Sequence, residues 1–265
     1  MFSKARYGFF SLLVLACSVQ ASTAEFNREQ ALVNSQEVVG RTLSGLNFQD
    51  SLGNEVSLEQ FAGRPVIISL IYTSCHHICP TTTQNLKIAV AKAREVFGSD
   101  AFSVLTVGFD TANDTPVRMA EFRKRTGVSD TNWHFLSGSE GEVRKLVEQI
   151  GFVYFASPRG FDHLLQSTIV TAQGQIYRQL YGMIFPTPEV LEPLKQLIFG
   201  NPSTESVFDY LNGRIRLFCT VYDPATDNYY IDYSVFIGTF VGMMVSIVFG
   251  IVLAKEWRRS NGTKW

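Results

Sequence analysis

The run Val66-Ile67-Ile68-Ser69-Leu70-Ile71-Tyr72-Thr73-Ser74-Cys75-His76-His77-Ile78-Cys79-Pro80 divides into two halves that ask for different structures. The first half follows Gly63-Arg64-Pro65 and is apolar almost throughout, without the alternation of a half-exposed strand. Such a run suits a strand covered on both faces. From Pro80 to Phe97 the pattern changes. Leu86, Ala89, Val90, Ala93, Val96 and Phe97 recur at helical spacing, and Gly98 ends the segment. A doubly covered strand feeding a helix belongs to an α/β sheet, and two cysteines stand at the junction.

The rest of the chain continues that pattern outward. Thr42 to Phe48 and Val56 to Leu58, joined through Asp50-Ser51-Leu52-Gly53-Asn54, predict a hairpin before the strand, with residues 25–40 as a leader. Ser103 to Phe109 predicts a second buried strand. Thr115-Pro116 opens a helix that Gly127 closes, and Ser139-Glu140-Gly141-Glu142 is a capping box for another, ending at Gly151. Leu165 to Thr171 and Gln175 to Tyr181 flank Gln173-Gly174 as a second hairpin. Thr187-Pro188 begins a helix toward Phe199 that Pro193 should bend or shorten, and Ser203 to Phe218 reads as one more. Hairpin, βα units, hairpin and helix make an α/β fold around one mixed sheet.

Both ends differ from this middle. Lys4 and Arg6 precede an apolar stretch from Gly8 to Val19, and Ala21-Ser22-Thr23-Ala24 follows, which is the pattern of a secretory signal over residues 1–24. An uncleaved anchor is the alternative, against which the shortness of the stretch counts. Cys17 falls within that signal. Ser234 to Ala254 contains no charge over 21 residues, enough to cross about 30 Å of hydrocarbon as a helix. Tyr229, Tyr230, Tyr233 and Trp257 flank it as interfacial aromatics would, and Lys255, Arg258, Arg259 and Lys264 place the tail 255–265 in the cytoplasm. Residues 25–233 are then an exported domain, at the inner membrane and facing the periplasm or cell exterior. Gly238-x-x-x-Gly242 hints weakly at helix pairing.

The whole chain has 265 residues and a net charge of −1. The first 24 residues contribute +2 and the tail from Lys255 +3, which leaves residues 25–254 at −6. A protein held to nucleic acid by phosphate contacts carries a basic excess, so nucleic acid is not an expected partner. Four cysteines are too few for a disulfide scaffold, and 46% apolar residues exclude a disordered chain.

Cys75 and Cys79 carry the chemistry. Free amides and partial positive charge at a helix N-terminus favour thiolate over thiol, and a thiolate is both a nucleophile and a soft ligand for Cu(I). Four-residue spacing brings both sulfurs to one side of a turn. A purely structural disulfide loses as a reading, because so short a loop stabilises little. Two sulfurs leave a soft metal under-coordinated, and the candidates for a third ligand are His76, His77, His134 and His163. His76 and His77 lie on the tight turn, and His134 beside Trp133 reads as a packed polar residue. Asp162 could orient the ring of His163. Spacing alone does not choose among the four.

Four segments carry a resemblance. Tyr72-Thr73-Ser74-Cys75-x-x-x-Cys79-Pro80, Asp110 with Asp114-Thr115-Pro116, Trp133-x-x-Leu136-x-Gly138, and Asp162-His163 eleven residues before Gly174 resemble, in order, the motifs of the Sco (SenC/PrrC) family. Thr111 stands where that family's second motif has proline. The resemblance spans Gly40 to Phe199 and implies a thioredoxin-like fold. It implies a copper ion bound by Cys75, Cys79 and His163, and a Cys75–Cys79 disulfide in the oxidised state. It further implies a metallochaperone rather than an enzyme, which delivers copper to, or reduces the cysteines of, the binuclear copper centre of cytochrome c oxidase. Its partners would be the copper-bearing oxidase subunit, an upstream copper donor or thiol reductant, and the membrane. Two features depart from the family: the clear span follows the domain instead of preceding it, and Cys219 lies beyond the core. The competing readings are a thiol-disulfide oxidoreductase acting on partner cysteines, with a peroxidase as its weaker form, and a non-catalytic module hung on the membrane.

Overall fold

The apolar run forms β3 (Val66–Ile71), buried at every residue, and it lies in the interior of the sheet. In the computed structural model the described residues are 26–200, 220–223, 228–231 and 234–261. In chain order the elements around β3 are α1 (Arg28–Glu37), β1 (Asn47–Asp50), β2 (Glu55–Ser57), a 3-10 turn over Leu58–Phe61, α2 (Ile78–Phe97), β4 (Ser103–Gly108), α3 (Pro116–Thr126), β5 (Trp133–Ser137), α4 (Glu140–Gln149), β6 (Tyr154–Ser157), β7 (Gly160–His163), β8 (Gln166–Val170), β9 (Ile176–Tyr181) and α5 (Thr187–Phe199).

Seven of the strands make one mixed sheet in the order β2-β1-β5-β4-β3-β8-β9. β3, β4 and β5 run parallel through the helical crossovers α2 and α3, whereas β8 returns antiparallel beside β3. β3, β4 and β8 are buried along their whole length, and β3 and β4 accordingly read as continuous apolar or small-residue runs. α2 packs against both α3 and α5. Leu86, Ala89, Val90 and Ala93 are the buried face of α2, as their spacing predicts. β6 and β7 form a separate two-stranded ribbon.

The expected α/β fold with one mixed sheet is therefore present, with local differences. Residues 28–37 of the expected leader form α1, capped by Asn27, whose Oδ1 accepts from the Gln30 amide at 3.0 Å. Only Ala31, Ser35 and Val38 of this region are deeply buried, so it has no apolar stripe to read. It is docked by polar contacts: the Ser35 hydroxyl bonds that of Tyr181, and Gln36 Nε2 donates to the same oxygen at 2.6 Å. The first strand is shorter than expected, since Thr42 makes only an isolated bridge to Gln175. α5 runs through Pro193 to Phe199 and buries the proline ring.

Beyond the sheet, β10 (Thr220–Asp223) pairs antiparallel with β11 (Asn228–Ile231), so Tyr229 and Tyr230 lie on a strand. A C-terminal helix spans Ser234–Asn261, and its stretch Ile237–Lys255 is long and apolar enough to cross a membrane. The expected signal over 1–24, the helix Ser203–Phe218, Cys17 and Cys219 fall outside the described residues.

Candidate metal centre

At the C-terminal end of β3 the chain turns through Tyr72 and Thr73, both buried, and enters α2 at Ile78. The Cys75 amide donates to the Tyr72 carbonyl at 3.1 Å, closing that turn. α2 begins two residues earlier than its apolar spacing suggests, so Cys79 sits in its first turn. The Cys79 amide, one of the donors that a helix start leaves without an internal partner, points at Cys75 Sγ at 3.2 Å. Both cysteines are buried and free.

This arrangement makes the two sulfurs unequal. The Cys79 thiol donates to the Cys75 sulfur, the amides of Cys79 and His77 and the Tyr72 hydroxyl add to it, and together they outweigh burial. Cys75 falls to about 5 and is a thiolate at neutral pH. Cys79 is pushed up, first by its hydrogen bond to Cys75 and then by burial, and holds its proton. Tyr72 rises to about 12 through burial and its hydrogen bond to Cys75.

The loop after β4 braces this turn. Asp114 is 2% exposed, and its carboxylate accepts the Thr73 amide and hydroxyl, each at 2.7 Å, and the Asp110 amide at 2.9 Å. Burial pushes the Asp114 carboxyl up, against those donors. Arg125 Nη2 donates to the Thr73 carbonyl at 3.1 Å from α3. The two Asp residues of the Asp110–Asp114 segment thus tie β4 to the cysteine turn.

His163 reaches the same end of the sheet by topology. β3 and β8 pair antiparallel with Ser69 opposite Ser167, so the residues following β3 run beside those preceding β8. The imidazole is enclosed by aromatic rings, with centroids at 5.3 Å for Phe152, 5.4 Å for Phe109 and 6.2 Å for Tyr72. Burial lowers its pKa, opposed by the Leu164 contact and the charges of Cys75 and Asp162, so the ring is neutral at pH 7. Nδ1 lies 2.7 Å from the Leu164 carbonyl, which can only accept. The proton is therefore on Nδ1, and Nε2 carries a free lone pair. Asp162, expected to orient this ring, is exposed while its neighbours on β7 are half-buried, and strand alternation turns it to the other side. The backbone carbonyl of Leu164 holds the ring instead.

The other histidines stand apart from this geometry. His76 and His77 are exposed on the turn. His134 lies on β5, two strands from β3, half-buried with its ring 5.0 Å from that of Phe61 and Nε2 buried without a hydrogen-bond partner. The fold thus pairs the two sulfurs and carries His163 to their end of the sheet. Among the described residues no three His, Cys, Asp or Glu side chains gather closely enough to hold a metal ion. Sequence reasoning missed the ribbon β6–β7, although Ser157-Pro158-Arg159-Gly160 between aromatic segments is a turn signal. It also gave no role to Tyr72 or to the rings around His163, because an aromatic residue in sequence announces burial but not its neighbours.

Residues 39–198 match the SCO1/SenC family model. The chain is 26% identical over 142 residues to the SCO1 protein homolog of Bacillus subtilis, covering 51% of this chain and 72% of that one. Among solved structures it resembles a putative electron transfer protein from Aquifex aeolicus, at 27% identity and TM-score 0.57, over 64% of this chain and 99% of that one. It also shares its fold with Arabidopsis thaliana ScoI, solved with copper bound, at 18% identity and TM-score 0.51, over 58% of this chain and 98% of that one.

Proposed function

The chain belongs to the SCO1/SenC family, and from that premise we propose that Cys75, Cys79 and His163 hold a copper ion as cargo. The chain would deliver that ion to the binuclear copper centre of cytochrome c oxidase, or prepare the cysteines of that centre. One observation carries the reading: a Cys75 thiolate lies against a second sulfur, at the end of the sheet that also holds a neutral imidazole whose Nε2 is free. Two sulfurs and one imidazole nitrogen form a soft donor set, and that chemistry fits Cu(I). Cys79 loses its proton to solvent when it ligates, so loading is favoured by rising pH. Loading also requires the ribbon to bring Nε2 to the sulfurs.

The C-terminal helix is a membrane anchor in this reading. The positive tail after Lys255 stays in the cytoplasm, and the domain faces the periplasm or cell exterior behind the signal over residues 1–24. Titration of the reduced full-length chain with Cu(I) against a competing chelator should give about one copper per chain. His163→Ala should weaken binding about tenfold or more, as loss of one of three ligands. Copper held equally tightly by His163→Ala sinks the assignment of the third ligand.

The inequality of the thiols also favours a second reading, reduction of a partner's disulfide. The Cys75 thiolate attacks one partner sulfur and releases the other as a thiolate. Cys79 then gives up its proton and attacks Cys75, leaving a Cys75–Cys79 disulfide and a fully reduced partner. This route needs no histidine. Full reductase activity in His163→Ala, together with loss of activity in Cys75→Ser, would favour it over copper delivery.

A further inference from the structure

The ribbon that carries His163 rests on one buried ring. Its backbone pairing is internal, with Tyr154 opposite His163 and Ala156 opposite Phe161. Among the described residues no hydrogen bond joins Tyr154–His163 to a strand of the seven-stranded sheet. The place of the ribbon at the cysteine end therefore depends on how its side chains pack. Residues opposite one another share a face, and so do residues two apart on one strand, which puts Tyr154, Phe161 and His163 on the same side.

Phe109 meets all three. Its ring centroid lies 4.9 Å from that of Tyr154, 5.3 Å from that of Phe161 and 5.4 Å from that of His163, separations at which aromatic rings attract. No other ring of the described residues does so: Tyr72 reaches Phe161 and His163, and Phe152 reaches Tyr154 and His163. Phe109 is 2% exposed and directly follows β4, and its amide donates to the Ile71 carbonyl at 2.9 Å. Its backbone is thus fixed to the strand that leads into the cysteine turn. The turn of the ribbon closes on the same cluster. Gly160 has φ +118°, and a Cβ there would fall 3.1 Å from the Tyr72 ring, so glycine is what lets the ribbon settle this close.

We propose that Phe109 is a positioning residue whose ring seats the β6–β7 ribbon and so holds His163 at the cysteine end of the sheet. The assignment rests on the reading that His163 serves with the cysteines, but the seating exists without metal and can be tested without it. A seated ribbon has only to adjust locally to bring the imidazole to the sulfurs. A detached one has first to be ordered, and that cost is taken from the affinity for copper.

The test uses the full-length chain, reduced and in detergent, and begins without metal. Arg159 is exposed in the turn of the ribbon, and trypsin cuts after it when that segment opens from its seat. Arg94 of α2 has a side chain only 12% exposed, and cleavage there reports opening of the domain itself. Phe109→Leu keeps an apolar side chain and removes the ring. Cleavage after Arg159 should then quicken about tenfold, as loss of favourable ring pairs allows, and cleavage after Arg94 much less. Unchanged cleavage after Arg159 overturns the proposal. Equal increases at both sites would mean that Phe109 serves the core as a whole, and overturn it too. Should Phe109→Leu fail to fold, Tyr154→Leu removes the closest of these contacts from the side of the ribbon, and the same two rates decide. With Cu(I), Phe109→Leu should weaken binding about fivefold in the parent and have no further effect in a His163→Ala background. An equal loss in both would show that Phe109 does not act through His163 and overturn the proposal. Absence of copper binding in the parent would defeat the copper reading, and cleavage after Arg159 would still decide the seating.

Discussion

At the scale of single residues, Cys75 and Cys79 differ in a way their spacing does not announce. Each has the same side chain, but one receives hydrogen bonds and the other gives one. Alkylation of the reduced chain should show it: labelling of Cys75 should be half-maximal near pH 5 and level above it, with Cys79 protected. A half-maximum near the ordinary thiol value of 9.0 would remove the basis of the asymmetry. Asp114 gives a second pH signature. Its folded pKa is raised, so the folded state binds the proton more tightly than the unfolded state does. Its contribution to stability is full below the ordinary carboxylate range and is lost as pH rises through the folded value. Urea unfolding of Asp114→Asn and parent at several pH values should show the difference between them changing over that window, with the variant gaining relative to the parent as pH rises. A constant difference would mean Asp114 does not titrate differently on folding. The cysteines were legible because a helix start after a buried strand has a known electrostatic consequence. His163 was not legible from spacing, because its 84-residue separation from Cys79 says nothing of which strand returns beside β3.

At the scale of elements, the segments that periodicity predicts are those that bury an apolar face against the sheet. β3, β4, α2 and α4 are examples, and α4 begins at the predicted Ser139 cap. α1 escaped because it is held by Ser35, Gln36 and the Gln179 amide, which donates to the Ser35 carbonyl at 3.2 Å, rather than by an apolar stripe. Gly151 makes that docking possible. It adopts φ +64°, and a Cβ there would lie 2.4 Å from the Asn34 carbonyl oxygen. Gly151→Ala should destabilise the domain by at least about 1–2 kcal/mol from the left-handed backbone alone. It should also detach α1, seen as protease cleavage before Gly40. Unchanged unfolding and cleavage would show that α1 does not depend on this approach. The ribbon β6–β7 escaped for a different reason. Its Tyr154 and Phe161 pack against the core only in part, and no strand of the seven-stranded sheet sets its register.

At the scale of the whole molecule, charge and hydropathy are distributed by segment, with basic ends, an acidic middle and one long uncharged run near the C-terminus. If Ile237–Lys255 anchors the chain, deletion of residues 234–265 should move it from the membrane to the soluble fraction, with the Cys75 alkylation profile unchanged. Continued membrane association after that deletion would place the anchor elsewhere. Sequence alone determined the strand-to-helix junction, the α/β class and the place of the cysteine pair at that junction, because burial periodicity and helix-start electrostatics act over a few neighbouring residues. It also determined the family resemblance, because the motifs lie in order along the chain. Tertiary structure decided which histidine stands at the end of the sheet that holds the cysteines, and which thiol is ionised. It also decided that a backbone carbonyl rather than Asp162 holds the imidazole. The place of the histidine depends on β8 pairing antiparallel beside β3, a contact between residues about 100 positions apart that local physics does not specify.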